Sequence, residues 1–252
     1  MTTESETSRL FSSEQWDRIL GHLGFGNPDA PLWFIGMEEG LGSRPPEVAL
    51  RNILALQERL DADGLRFSFF EDSWFPAKSK IATQTWKIMA KYARMLLHRA
   101  PDWQDSSSAD SYIRDSLGRP DGETLLLELL PLPAPHMADW PDAYTERFQN
   151  REDYGQFMRS KRIEILRDLV EKYRPTIVMC YGRSYWQYYR QIFALEGAPE
   201  DTVGQRTKAI VTQGEGTIVA LTPFFGYRYF PQMAIGEVGA KILARQASAI
   251  GA

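Results

Sequence analysis

The sequence predicts an α/β fold, a single-domain three-layer α/β/α sandwich with a mostly parallel central sheet, on three observations. Apolar runs at 31–35, 124–130, 176–180 and 217–221 have strand length and little polar interruption, as strands covered on both faces should. Segments of helical periodicity separate most of these runs, the spacing of strand-helix-strand crossovers. No internal repeat and no linker-like stretch divides the 252 residues, a length that one substantial core can serve.

The elements follow in order. Residues 1–11 are expected to be disordered. Ser12 or Ser13 caps a helix over 14–23, and the glycines and Asn27-Pro28 of 24–30 read as a turn-rich approach to the first strand, 31–35. Pro45-Pro46 starts a helix over 47–60. A second helix over 83–97 is accompanied by an apolar side of Ile81, Trp86, Met89, Ala93 and Leu96. A polar loop over 102–111 leads to the strand at 124–130, which ends in the stiff segment 131–135. A long helix over 151–174 is halted by Pro175, and the strand 176–180 feeds a helix over 182–195. Two β runs at 209–212 and 217–221 precede a last helix over 232–248.

The formal net charge of −4 argues against a protein that coats nucleic acid non-specifically. Its distribution is uneven, because residues 73–101 contain no acid but hold Lys78, Lys80, Lys87, Lys91, Arg94 and Arg99. Lys87, Lys91 and Arg94 share one helical face, which serves either as a phosphate-tracking stripe or as a solvated surface. The single cysteine, Cys180, excludes an intramolecular disulfide and a cysteine-ligated cluster, and it fits a reducing, cytoplasmic setting. His98 and His136 suggest no third ligand, so neither metal nor cofactor is expected; His136, after the proline-rich loop, could still enter a pocket. No apolar run approaches a membrane span, and the N-terminus lacks a leader pattern, so a soluble, unprocessed monomer is expected.

In such sheets ligands sit at the carboxyl ends of strands, which directs attention to the loops starting at Gly36, Pro131, Tyr181 and Thr222. The first is Gly36-Met37-Glu38-Glu39-Gly40, two adjacent carboxylates between glycines that permit a tight turn. Carboxylates here either polarise a water and stabilise a developing cation or merely solvate the loop. Glu128 is a single acid among Leu125, Leu126, Leu127, Leu129 and Leu130, a costly place for an unpaired charge. It needs either a wet site or a structural arginine partner.

Taken together, these segments resemble the uracil-DNA-glycosylase superfamily. The run from Gly26 through Asn27-Pro28-Asp29-Ala30-Pro31-Leu32-Trp33-Phe34-Ile35 to Gly36 is similar to the entry of that superfamily's first motif. There the strand ends in Gly-X-Asn-Pro or Gly-X-Asp-Pro, and the Asn or Asp handles the attacking water. Glu38 falls on that position and Glu39 replaces the proline. The iron-sulfur branch carries its Glu one residue earlier, where this chain has Met37, and the lack of clustered cysteines separates the chain from that branch. Ser73-Trp74-Phe75-Pro76-Ala77-Lys78 resembles the loop whose aromatic stacks on an extruded base, Phe75 being the first choice and Trp74 the second. Residues 125–135 resemble the strand whose first polar residue reads the base edge, an Asn in uracil enzymes and Glu128 here, and 175–185 resemble the family's third strand and following helix. Thr222-Pro223-Phe224 stands where the family has His-Pro-Ser.

The resemblance implies an α/β glycosylase fold and a metal-free enzyme that flips a nucleotide out of DNA and hydrolyses its N-glycosidic bond, leaving an abasic site. Glu38, with Glu39 as the alternative, stabilises the sugar cation and orients water, while Met37 and Gly36 line the base. An ionised Glu128 only accepts hydrogen bonds, which suits the N4 amino group of cytosine and opposes O4 of uracil. Loss of the histidine at Thr222 also disfavours plain uracil. Together these imply a modified cytosine such as glucosylated 5-hydroxymethylcytosine in phage DNA, hence antiviral defence. Phe224, Phe225, Tyr227 and Arg228 are expected to wedge the duplex, and the basic residues from Lys78 to Arg94 to follow phosphates. The alternatives are a repair glycosylase for uracil or damaged bases, a non-catalytic relative that binds DNA or protein, and an unrelated doubly wound nucleotide-handling protein; for the last, no phosphate-cradling glycine loop is present.

Overall fold

Residues 10–75, 83–134, 139–204, 208–226 and 230–250 are described by a computed structural model. The chain enters the fold earlier than expected. The amides of Leu10 and Phe11 donate to the Glu146 carboxylate, as does the Trp16 indole at 2.7 Å, and Phe11 is buried. Helix α1 (Ser13–Gly21) starts on a reciprocal cap between Ser12 and Gln15. The next segment is a strand rather than a turn, β1 (His22–Gly26), followed by β2 (Leu32–Gly36). Gly24 explains the difference: its φ is +149°, and a Cβ there would lie 1.9 Å from the Leu126 carbonyl oxygen, so the glycine marks close strand approach.

Helix α2 (Pro46–Ala55) is shorter than its predicted span, because Glu58–Leu60 (β3) turns back to pair with Arg66–Ser68 (β4). Helix α3 (Gln84–Leu96) agrees with its prediction, whereas the supposed polar loop contains helix α4 (Ser106–Asp115). Asp105 caps α4 by accepting from the Ser108 amide, and Ala109, Tyr112 and Ile113 form its buried face. Strand β5 (Thr124–Glu128) leads to α5 (Arg151–Tyr173), which ends at Arg174 with φ 48° just before Pro175. Strand β6 (Ile177–Tyr181), a short 3-10 turn, helix α6 (Trp186–Ile192), strands β7 (Asp201–Val203), β8 (Ala209–Gly214) and β9 (Thr217–Thr222), and helix α7 (Gln232–Ile250) complete the order.

Among the described residues, nine strands form one sheet in the order β3-β4-β1-β5-β2-β6-β9-β8-β7. The four central strands β5, β2, β6 and β9 are parallel. Towards the edges the pairings β1 with β5, β3 with β4, β8 with β9 and β7 with β8 are antiparallel, so the sheet is mixed. Side chains alternate across it. Trp33, Ile35, Leu125, Leu127, Val178 and Cys180 pack under α1, α2, α5 and α6, while Leu32, Phe34, Leu126, Ile177 and Met179 pack under α3, α4 and α7. Helices therefore cover both faces, as the apolar runs required.

One buried cation ties this frame to the site end. Arg162 of α5 is fully buried and donates to the carbonyl oxygens of Leu129 and His22, each at 3.2 Å, and to that of Glu128. Burial lowers its pKa to about 10, which still leaves it charged. Arg162→Met removes that charge and leaves three carbonyl groups without their charged donor. The variant is expected to lose about 3 kcal/mol or more of unfolding free energy in urea titration; an unchanged midpoint at equal slope would refute this role.

Candidate active site

Strands β2 and β5 stay laddered beyond their ends, and that brings the acids together. Gly36 lies opposite Glu128 in the parallel register. The Leu129 amide then donates to the Gly36 carbonyl (3.0 Å), the Leu130 amide to Met37 (2.8 Å) and the Ala134 amide to Glu39 (2.9 Å). Tyr181, at the end of β6, donates its hydroxyl to Oε1 of Glu128 at 3.3 Å. Oε2 of Glu128 is buried and has no partner among the described residues. A Cβ at position 36 would fall 2.2 Å from that oxygen and 2.3 Å from the Tyr181 hydroxyl, so a glycine is required there.

Glu128 faces a cavity of about 470 Å³ whose aromatic walls are Phe25, Phe70, Trp74 and Trp86. The rings of Phe70 and Trp86 lie 4.9 Å apart, and those of Phe70 and Trp74 5.5 Å. Polar atoms come from Glu39 and Arg44 of the β2–α2 loop, Asn52 of α2, Glu71, Tyr181 and His22. Burial, reinforced by the negative charge of Glu39, raises the Glu128 pKa to about 8; the Tyr181 hydrogen bond opposes the shift and Glu38 adds to it.

The two neighbouring acids face different surroundings. Glu38 turns to Arg151 at the start of α5, its side chain is 7% exposed, and its Oε2 has no partner among the described residues. Burial raises its pKa and the Arg151 guanidinium counteracts that. Glu39 is half-exposed on the cavity wall and pairs with Arg44 at 2.5 Å. Met37 packs against Gly182 and the apolar core rather than standing among the cavity walls.

Several expected contacts are corrected by burial. Phe75 is 8% exposed and packs on Phe70 and Trp86, whereas Trp74 is 37% exposed and lines the cavity, so their order of preference is reversed. Thr222 is fully buried and its hydroxyl donates back to the Cys180 carbonyl at 3.2 Å, because the residue closes the parallel register opposite Tyr181. Phe225 is also buried, stacked on Tyr181 at 4.7 Å, which leaves Phe224, 40% exposed, as the outward ring of that pair.

The basic stripe on α3 is not a free phosphate track. Lys87 pairs with Asp110 of α4 at 3.2 Å and Arg94 with Asp102 at 2.6 Å, while Lys91 is buried, which lowers its pKa. All three lie under α4 and the turn before it, a segment whose composition disguises it as a loop. Lys78, Lys80, His136, Tyr227 and Arg228 lie outside the described residues.

His22 escapes sequence reasoning because β1 looks like the end of a helix. It stands on the cavity wall with Nδ1 buried and without a partner among the described residues. Burial, with the positive charge of Arg162, lowers its pKa to about 3, so the imidazole is neutral at physiological pH. Among the described residues no group of three or more His, Cys, Asp or Glu side chains could hold a metal ion, and no helix is long and apolar enough to cross a membrane.

In comparisons with known proteins, neither a family model nor a curated protein matches the chain.

The raised Glu128 pKa sets a pH dependence of stability. Between an ordinary carboxyl value of 4.5 and about 8 the folded chain holds a proton that the unfolded chain has released, so this group's contribution is present below pH 4.5 and is lost as pH rises to about 8. Glu128→Gln does not titrate. Relative to wild type the variant should gain on the order of a few kcal/mol across that window, in denaturant melts at stepped pH, and a constant difference would contradict the assignment.

Proposed function

We propose that the protein is a DNA glycosylase of the uracil-DNA-glycosylase type that hydrolyses the N-glycosidic bond of a flipped-out modified cytosine and leaves an abasic site. The observation that carries this reading is Glu128, a buried carboxyl with no ion pair and one oxygen without a partner among the described residues, on the wall of an aromatic-walled cavity that Glu39 also lines. A base stacked against Phe25 and Trp74 has its polar edge satisfied by the one strand-end acid lacking an ion pair among the described residues. The Glu128 carboxyl accepts from the N4 amino group of cytosine in either protonation state.

On this reading Glu39 orients water towards the sugar, because it stands on the cavity wall while Glu38 is turned to Arg151. The departing base leaves positive charge on the sugar, and Glu39 and Glu38 stabilise it electrostatically. Cavity size supports cytosine with a small substituent such as hydroxymethyl, a glucosyl group extending in part beyond it. At ~30 Å³ per water-sized group, a space of about 470 Å³ takes on the order of fifteen groups, roughly twice the heavy atoms of cytosine. Asn52 and Arg44 offer hydrogen bonds to a hydroxyl-bearing substituent such as a glucosylated hydroxymethyl group. DNA is the partner, with Trp74 and Phe224 as the exposed rings that meet it, and defence against phage with hypermodified DNA in the cytoplasm is the setting that fits this substrate.

Wild-type protein incubated with DNA carrying glucosylated 5-hydroxymethylcytosine should release that base, detected by mass spectrometry, and leave alkali-labile sites. Glu39→Gln should slow release about 100-fold or more. Breaks confined to uracil DNA would reject the cytosine reading in favour of repair, and tight binding without release would favour a non-catalytic relative. Asn52→Leu should reduce release of the substituted base roughly tenfold while sparing unsubstituted cytosine, if that base is released at all; equal losses on both would remove Asn52 from substituent binding.

A further inference from the structure

Leaving-group chemistry is the part of the proposed reaction to which no residue is yet assigned. Thr222, which stands where a leaving-group histidine would, is buried with its hydroxyl turned away on the Cys180 carbonyl. His22 is held neutral, and Glu39 and Glu38 serve the sugar side. Glu128 remains. It lines the cavity, accepts from the Tyr181 hydroxyl at Oε1, and has no ion pair among the described residues.

We propose that Glu128, on the cavity wall, is the general acid of the reaction, passing its carboxyl proton to ring nitrogen N3 of the departing cytosine while the other carboxyl oxygen accepts from the N4 amino group. The inference rests on the glycosylase reading and extends it to the identity of the base. As the C1′–N1 bond breaks, its electron pair moves into the base, which leaves as a neutral tautomer because N3 now carries the Glu128 proton. The water oxygen bonds to C1′ and its proton passes to the Glu39 carboxylate. Glu128 ends as a carboxylate and Glu39 as an acid, and exchange of protons with solvent restores both. Uracil already carries hydrogen on N3 and cannot take this proton, so the same group that activates cytosine discriminates against uracil.

The surroundings keep the acid protonated for this step. Glu39 and Glu38 face it from the β2 loop and disfavour its ionisation, and burial does so more strongly. Arg162 favours ionisation from α5, yet its hydrogen bonds go to main-chain carbonyls, including that of Glu128 itself. Tyr181 on β6 has its own pKa well above the ordinary value through burial, and His22 on β1 stays neutral, so neither titrates near the Glu128 value of about 8.

Single-turnover rates on DNA carrying glucosylated 5-hydroxymethylcytosine test the assignment. Wild type should lose rate above about pH 8. Glu128→Gln keeps a donor and an acceptor but no transferable proton, so its rate should fall about 100-fold or more with affinity nearly unchanged, and its rate should show no such alkaline limb. Tyr181→Phe removes a hydrogen bond that lowers the Glu128 pKa, and should move the limb to higher pH. Release by Glu128→Gln within tenfold of wild type, or a limb that Tyr181→Phe leaves in place, overturns the general-acid role while the glycosylase reading stands. No release by wild type from any modified-cytosine DNA overturns both.

Discussion

The register that sets Gly36 opposite Glu128 is the constraint on which the site end of the molecule depends. Two parallel strands that stop level with one another, then continue as hydrogen-bonded loops, bring Glu38, Glu39 and Glu128 into one neighbourhood. Three carboxylates cannot all ionise cheaply in a partly dry space. The chain separates them by unequal supply of cations. Arg151 takes Glu38, Arg44 takes Glu39, and Glu128 receives a phenol. The result is one acid, Glu128, that burial raises to a pKa of about 8 beside two acids that hold guanidinium partners, a division by environment rather than by residue type.

Arg162 makes that division possible. A guanidinium beside the Glu128 main chain would ordinarily neutralise the side chain as well, but its donors are directed to the carbonyls at the ends of β1 and β5. The cation therefore acts as a main-chain brace. The same charge helps keep His22 neutral, which leaves an imidazole with an unmet nitrogen on the cavity wall. His22 and Glu128 thus both line the cavity, and each keeps a buried polar atom without a partner among the described residues.

How much of this was legible in the sequence follows the strength of each local signal. The central strands were readable because burial on both faces leaves uninterrupted apolar runs, and the loops at their carboxyl ends followed from topology alone. Strand β1 was hidden by Gly24 and Gly26, which mark close approach to β5 but look like turn residues. Helix α4 was hidden by its serines and aspartates, although Asp105 as a cap and the spacing of Ala109, Tyr112 and Ile113 were available signals. That one misreading carried a second with it, since the α3 cations look free only while nothing covers them. The choice between Trp74 and Phe75 was beyond the sequence: they are adjacent rings, and which one turns inward depends on packing against Phe70 and Trp86.

Engagement of these basic residues also bears on how DNA would be held on the proposed reading. Lys87 and Arg94 would have to exchange a carboxylate for a phosphate, and Arg44 and Arg151 would have to abandon the acids that define the site. Such an exchange returns little free energy, because one ion pair is broken for each one made and the released acid must be resolvated. Stacking has no such penalty. Trp74 and Phe224 already present ring surface to solvent, and a base entering the cavity would meet a further ring at Phe25. On the proposed reading, recognition by these residues therefore draws on an extruded base more than on the backbone that carries it, which suits a net charge of −4.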